Sequence, residues 1–262
     1  MKLKITVLTE NVAGDKLLAE HGLSYLVEID GVKILFDTGH SDMFLKNARH
    51  LGIDIQNEVK TVVLSHGHWD HGNGLQFIEN KKLITHPASF LKRFGKSDHH
   101  FVGMSLSKEE IQKKFDLTET IKHYQISTHL WFLGEIPRVS DFESQTTSFK
   151  LENGDDDFIP DDSALAAIVN NELIILTGCS HSGICNICEQ AKSVTGVDKL
   201  KAVAGGFHLK HQNRQTTQTI DYFKRNRVEK IFPSHCTGLP ALVAFYNEFG
   251  ITQVKTGMVI EF

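Results

Sequence analysis

Two stretches of this 262-residue chain echo one another and limit what it can fold into: "SYLVEIDGVKILFDTGH" (24–40) and "SALAAIVNNELIILTGCS" (163–180). Each reads as a strand, a two-residue turn and a second strand that runs into a polar turn containing glycine. The Asp30-Gly31 pair is a strong hairpin signal, because tight hairpin turns demand positive φ at both central residues. The Asn170-Asn171 pair takes the same place in the second stretch. A helical pattern follows each hairpin. In "SDMFLKNARHLG" it has Ser41 or Asp42 as N-cap and Gly52 as stop, and in "SGICNICEQAKSV" it resumes in the second half. "KLKITVL" and "VKTVVLSH" add strands to the first half. "LKAVAGGFH", "VEKIFPSH" and the closing "MVIEF" add strands to the second, where "TTQTIDYFKRN" and "LPALVAFYNEFG" add helices. The chain therefore reads as two similar halves, each of hairpin, helix, strand and helix. Two packed sheets flanked by helices accommodate them, with a cleft where the strand-end loops converge. We expect a single domain over 1–262. The stretch at about 85–150, with a short helix in "SKEEIQKKF" and an apolar patch in "HLWFLGEIP", lacks clear alternation and is expected to be an inserted, lid-like region. The acidic run from Glu152 to Asp162 reads as a solvated loop.

Composition excludes several classes. Apolar residues make up 40%, charged residues 23%, and the formal net charge is −4, an ordinary balance for a globular protein. No basic stripe is present, so nucleic acid is disfavoured as a partner and a small-molecule substrate is expected. No apolar run approaches the roughly 20 residues of a membrane span. "MKLKITVL" is too short for a signal peptide, so a cytoplasmic location is expected. The oligomeric state leaves no trace in one chain. The four cysteines, Cys179, Cys185, Cys188 and Cys236, do not resemble the dense framework of small disulfide-rich domains and read as reduced thiols. Cys185 and Cys188 form a C-x-x-C that could be redox-active or zinc-binding. Yet Ile184, Ile187, Cys188 and Ala191 share one helix face, which favours core packing.

The chemistry concentrates in "LSHGHWDHGNG" (64–74). Three histidines and one aspartate, His66, His68, Asp70 and His71, fall within six positions after an apolar run. Imidazole and carboxylate are ligands for zinc, iron or manganese. His66 and His68 fall on one side, and Asp70 and His71 come round as a helix starts. One loop can thus offer two ligands to each of two metals. Such ions, about 3.5–4 Å apart, hold a hydroxide that is nucleophilic at neutral pH. The alternative is a satisfied polar loop.

This loop is an H-x-H-x-D-H signature. Together with "ILFDTG", "LTGCSH", "AVAGGFH" and "PSHCTG", it makes nearly the whole chain resemble the metallo-β-lactamase superfamily, whose fold is a four-layer αββα sandwich of two pseudo-repeated halves. The resemblance implies that His66 and His68 bind one metal, that Asp70 and His71 bind a second, and that His235 is the late ligand; otherwise His235 caps the following helix. Where the family has a bridging aspartate this chain has Cys179, and where a histidine precedes it by some twenty residues the chain has Asp161 and Asp162. We therefore expect His181, two residues past Cys179 and on the same side of an extended chain, to supply the missing ligand. Cys179 and Asp162 are further candidates, with a buried thiol and a turn aspartate as their alternatives. His208 resembles a non-ligand histidine that protonates the leaving group in phosphodiesterase-like members. It is read as catalytic, as is Asp70 besides its ligand role, and as substrate-binding, with metal ligation and a structural role as its alternatives. Gly206 would let substrate approach the backbone, and His21 could reach the cleft. Asp37 resembles a carboxylate that orients metal-bound histidines; its alternative is a turn aspartate.

"TEN…AEHGLSYLVE", "LTGCSHSGICNI", "GGFHL" and "PSHCTG" most resemble a group known as dihydropterin-6-yl-methyl-4-(ribofuranosyl)aminobenzene 5′-phosphate synthases, also described as metal-dependent hydrolases. The resemblance implies two divalent cations, zinc first, and a small ester or phosphoester substrate, phosphorylated or pterin-like. A metal-binding redox or sensing protein without hydrolytic activity is the other reading, because Cys179 displaces the bridging acid.

Overall fold

The computed structural model describes residues 2–262. The first half runs β1 (Lys4–Thr9), β2 (Ser24–Ile29), β3 (Val32–Phe36), α1 (Met43–His50), α2 (Ile55–Glu58), β4 (Thr61–Val63), α3 (Trp69–Gly72) and β5 (Lys81–Thr85). Then come β6 (Arg93–Gly95), α4 (Lys108–Lys114), β7 (Phe115–Glu119), β8 (Tyr124–Ser127), β9 (Leu130–Phe132), β10 (Phe149–Leu151) and β11 (Asp156–Asp157). The second half runs β12 (Ala164–Val169), β13 (Glu172–Thr177), α5 (Ile184–Thr195), β14 (Leu200–Gly206), α6 (Arg214–Arg225), β15 (Lys230–Ser234), α7 (Leu239–Phe249) and β16 (Val259–Glu261).

Both expected hairpins form. β2 pairs antiparallel with β3 and β12 with β13. Their turns carry positive φ at both central residues, 54° and 74° at Asp30-Gly31 and 52° and 61° at Asn170-Asn171, as a tight primed turn requires. Each hairpin continues into two parallel strands, β3 to β4 to β5 in one sheet and β13 to β14 to β15 in the other. The two sheets have the orders β16-β1-β2-β3-β4-β5-β7 and β15-β14-β13-β12-β9-β8.

Strand periodicity assigns the faces. Leu165, Ala167 and Val169 face the other sheet and join Val27, Ile34 and Phe36 in one buried cluster. Ala164 and Ala166 face the opposite way, packing with Ile187, Ile220 and Phe245 of α5, α6 and α7. Leu26, Leu35 and Val62 pack outward against Phe44 of α1, Ile55 of α2 and Ile111 of α4. Three apolar layers thus separate four layers of structure, helix, sheet, sheet and helix. No helix among the described residues is long and apolar enough to cross a membrane.

Two expectations are corrected. Much of 85–150 belongs to the sandwich: β7 is the edge strand of the first sheet, and β8 and β9 complete the second. What stands apart is a three-stranded sheet of β11, β10 and β6, beside the cleft. The acidic run is not simply solvated either. Asp157, Asp161 and Asp162 are buried, because Arg93 pairs with the first two and Ser182 binds the third. Cys185 and Cys188 lie in the helix-side core, as their spacing indicates.

Candidate metal centre

Apart from His21, which precedes β2, the clustered histidines lie on the turns that follow β4, β13, β14 and β15. Four strand tips at the cleft hold a non-glycine residue in the left-handed region: Asp37 (φ 56°), Ser180 (59°), His208 (51°) and His235 (51°). Such conformations are uncommon and cost energy that the surroundings must supply. Here they break each strand sharply and turn the chain at the cleft. This alters the reason for the placement of His181. The chain between Cys179 and His181 is turned at Ser180 rather than extended, and the turn carries His181 across to His66 and His68.

The hydrogen bonds settle where the ring lone pairs point, the tautomers being assigned from the network. Asp37, fully buried, accepts from the Ser65 amide (2.7 Å), from Ser65 Oγ (2.7 Å) and from His71 Nδ1 (2.7 Å). The Ser65 hydroxyl spends its proton on Asp37, so it accepts from His66 Nδ1 at 2.9 Å. Asn11 Oδ1 accepts from His235 Nδ1 at 3.0 Å, while the Asn11 amide donates to the His235 carbonyl at 3.0 Å. His66, His71 and His235 are thereby left with bare Nε2 lone pairs. His71 Nε2 is 3.1 Å from His235 Nε2, and His66 Nε2 is 3.1 Å from His68 Nδ1. Each pair either shares a proton or, with both nitrogens bare, repels unless a cation lies between them. Tetrahedral zinc with Zn–N near 2.0–2.1 Å sets its nitrogens about 3.3 Å apart. His68 Nε2 and His181 Nε2 are buried and lack any hydrogen-bond partner.

The donors fall into neighbouring groups whose ligand atoms lie within 4.8 Å of one another: His66, His68 and His181; His21, Asp70 and His235; and His66, His71 and Cys179, which join the first two. Asp70 Oδ2 lies 3.1 Å from His21 Nε2, 3.3 Å from His235 Nε2 and 3.9 Å from His71 Nε2. Cys179 Sγ is 3.2 Å from His71 Nε2. Burial holds the His66 and His181 rings well below the usual imidazole range and His68 at about 3. They are therefore neutral, the form that binds metal. Burial opposes charge on His71 as well, but the Asp70 and Asp37 carboxylates outweigh it and raise that ring to about 9. With no cation beside it that ring takes a second proton, on Nε2 and toward His235, and a metal ion would take that proton's place. The donor set fits divalent cations of the zinc type.

The other sequence candidates separate by position. Asp162 turns away, accepting from the Ser182 amide at 2.9 Å, and belongs to none of the groups. His208 lies beside His181, their rings tilted by 48° with centroids 4.3 Å apart. Gly206 lies under Cys179 and Cys236, where a Cβ would stand 2.6 Å from Cys236 Sγ. Sequence reasoning missed Asn11, Ser65, Cys236 and Phe149. Phe149 walls the centre from the small sheet, 4.7 Å from the His68 ring and 5.4 Å from that of His181. Arg93 was missed too. It binds Asp161 at 2.7 and 2.9 Å, and Asp161 in turn accepts from the Gly67 amide of the histidine loop at 2.7 Å. Gly67 has no room for a side chain, since a Cβ there would stand 1.8 Å from the Ser89 carbonyl oxygen.

Two mixed sheets between helices, with histidine and carboxylate donors gathered at their strand tips, define an αββα sandwich with a candidate metal centre. Residues 18–88 match the family model of the metallo-β-lactamase superfamily. The chain is 34% identical to an uncharacterised protein of Methanocaldococcus jannaschii, over 98% of this chain and 99% of that one. It is 33% identical to the same organism's 7,8-dihydropterin-6-methyl-4-(beta-D-ribofuranosyl)-aminobenzene-5′-phosphate synthase, over 99% of this chain and 97% of that one. A crystal structure described as a metal-dependent hydrolase of the β-lactamase superfamily superposes with a TM-score of 0.87 at 31% identity, covering 98% of both chains. The protein belongs to the metallo-β-lactamase superfamily.

Proposed function

We propose that this protein is a hydrolase that uses two divalent cations, zinc before iron or manganese, to cleave a small ester or phosphoester in a reducing, cytoplasmic setting. The observation that carries this reading is the convergence of bare imidazole lone pairs on two adjoining positions. His66, His68 and His181 would hold one ion, and Asp70, His71 and His235 the other, with Cys179 between them and His21 against Asp70. Cations paired in this way lower the pKa of coordinated water and polarise a substrate oxygen. Asp37 keeps His66 and His71 in the ligating tautomer, through Ser65 and directly.

Substrate binds on the His181 side. A cavity of about 280 Å³ there is lined by Phe142, Thr147, Phe149, His181, His208 and Lys210, among others, and by no carboxylate. Such a lining suits an anionic group, phosphate included, and the phenyl rings suit a flat ring beside it. The methanogen relative's name, with its pterin and its phosphate, supports the same choice. His208, at the cavity wall, donates the proton to the leaving oxygen. The thiol of Cys179 beside His71 favours a second reading, a redox or sensing protein of the same fold.

Metal-loaded protein assayed against phosphodiesters, phosphomonoesters, lactones and thioesters separates the two. Turnover of one class supports the hydrolase, whereas no turnover with a thiol-dependent redox signal supports the second reading. His66→Ala combined with His68→Ala is expected to reduce bound metal to background in elemental analysis, and undiminished metal would overturn the ligand assignment. His208→Ala is expected to keep both ions while slowing turnover about 10²–10⁴-fold, the usual worth of a general acid.

A further inference from the structure

We propose that Cys179, His208 and Cys236 form a separate position for a thiophilic cation, next to the two histidine-rich ones. The topology brings them together. β13, β14 and β15 are adjacent parallel strands, with Thr177 in register with Gly205, and Gly206 with Ser234. The three residues each follow one of these strand ends within two positions. Their ligand atoms, two Sγ and one ring nitrogen, lie within 4.8 Å of one another. Both cysteines are free and buried. His208 Nδ1 is buried without a hydrogen-bond partner. The missing side chain of Gly206 makes the space, since a Cβ there would press on Cys236 Sγ at 2.6 Å and on Cys179 Cα at 3.3 Å. Lys210 donates to the Cys236 carbonyl at 2.8 Å and fixes the third tip. The other two cysteines are packed into the helix-side core, where they serve no such group.

Two sulfurs and an imidazole select zinc, cadmium or cuprous ion over magnesium, calcium or manganese. Two thiolates around a dication make a neutral unit, which a buried position tolerates far better than an isolated charge. Filling the position also has a consequence that rests on the proposed hydrolase. It ties up the His208 ring and draws on the Cys179 thiolate, so a thiophilic cation in excess inhibits turnover by removing the proton donor.

The test uses full-length protein loaded with two equivalents of zinc, enough for the histidine-rich positions alone, and then titrated with cadmium. One further equivalent is expected, with thiolate-to-cadmium charge-transfer absorption in the ultraviolet. Cys236→Ser is expected to lose both, and Cys185→Ser to keep both. Absorption unchanged by Cys236→Ser overturns the proposal. X-ray absorption at the added cadmium in the wild-type protein reads the same point without a variant: two sulfur neighbours are expected, and one or none refutes the site. Zinc absent from the histidine positions would instead defeat the hydrolase reading while leaving the cadmium result to stand by itself.

Discussion

Arg93→Met is expected to lower the free energy of unfolding by about 3–5 kcal/mol, the usual cost of removing one partner from a buried ionic group. Arg93 is wholly buried. Its Nε lies 2.9 Å from Asp157, its terminal nitrogens bond both oxygens of Asp161, and one of them also donates to the Ala88 carbonyl at 3.0 Å. Methionine fills the volume and leaves two carboxylates in the interior with no cation. A urea midpoint that falls at constant slope would register this as lost stability, and a midpoint unchanged from wild type would contradict it. The pH dependence has a definite sign. Burial would raise the Asp161 carboxyl, but Arg93 overrides burial and holds it at about 2, against roughly 3.9 in an unfolded chain. Its contribution is therefore present above the unfolded value and drains away as pH falls through about 2. The stability gap between wild type and variant should narrow as pH falls through that window. The damage reaches the metal loop as well, because Asp161 is the acceptor for the Gly67 amide between His66 and His68.

The part of this arrangement that was legible in the sequence is the part written in short-range pattern. Asp30-Gly31 and Asn170-Asn171 announce their hairpins because two consecutive positive-φ residues are a local requirement. The histidine loop announces itself because its donors are neighbours in the chain. His181 was reachable from its spacing to Cys179, although a turn at Ser180, not an extended run, delivers it. β7 escaped detection because it starts at Phe115, directly after α4 ends at Lys114, with no breaker between. As an edge strand it buries only its first residue fully, so alternation is faint. Asp157 and Asp161 read as solvated because their partner, Arg93, lies more than sixty residues earlier. The pairing of Cys236 with Cys179 depends on strand order, which no local pattern encodes.

Asp37→Asn is expected to weaken metal binding about 10–100-fold, the range seen when a group that orients a metal-bound histidine is lost. The substitution keeps the side chain's shape, and asparagine tolerates the left-handed backbone at this tip, so the effect comes from the hydrogen bonds. Asp37 Oδ1 accepts from the Ser65 amide, while Oδ2 accepts from Ser65 Oγ and His71 Nδ1. An asparagine with its amide nitrogen at the Oδ2 place confronts the His71 Nδ1–H with a donor. The ring then moves its proton to Nε2, the atom that should face the cation. With the amide flipped, the nitrogen confronts the Ser65 N–H, and a buried donor left unpaired costs about 1–3 kcal/mol. Either orientation breaks one of the contacts that hold the loop. Chelator competition with elemental analysis reads the affinity, and Asp162→Asn is the control. Asp162 faces Ser182, so its variant should keep both ions. Equal metal retention by Asp37→Asn and wild type would mean that His71 chooses its tautomer without Asp37, and would remove the reason for placing a cation beside its Nε2.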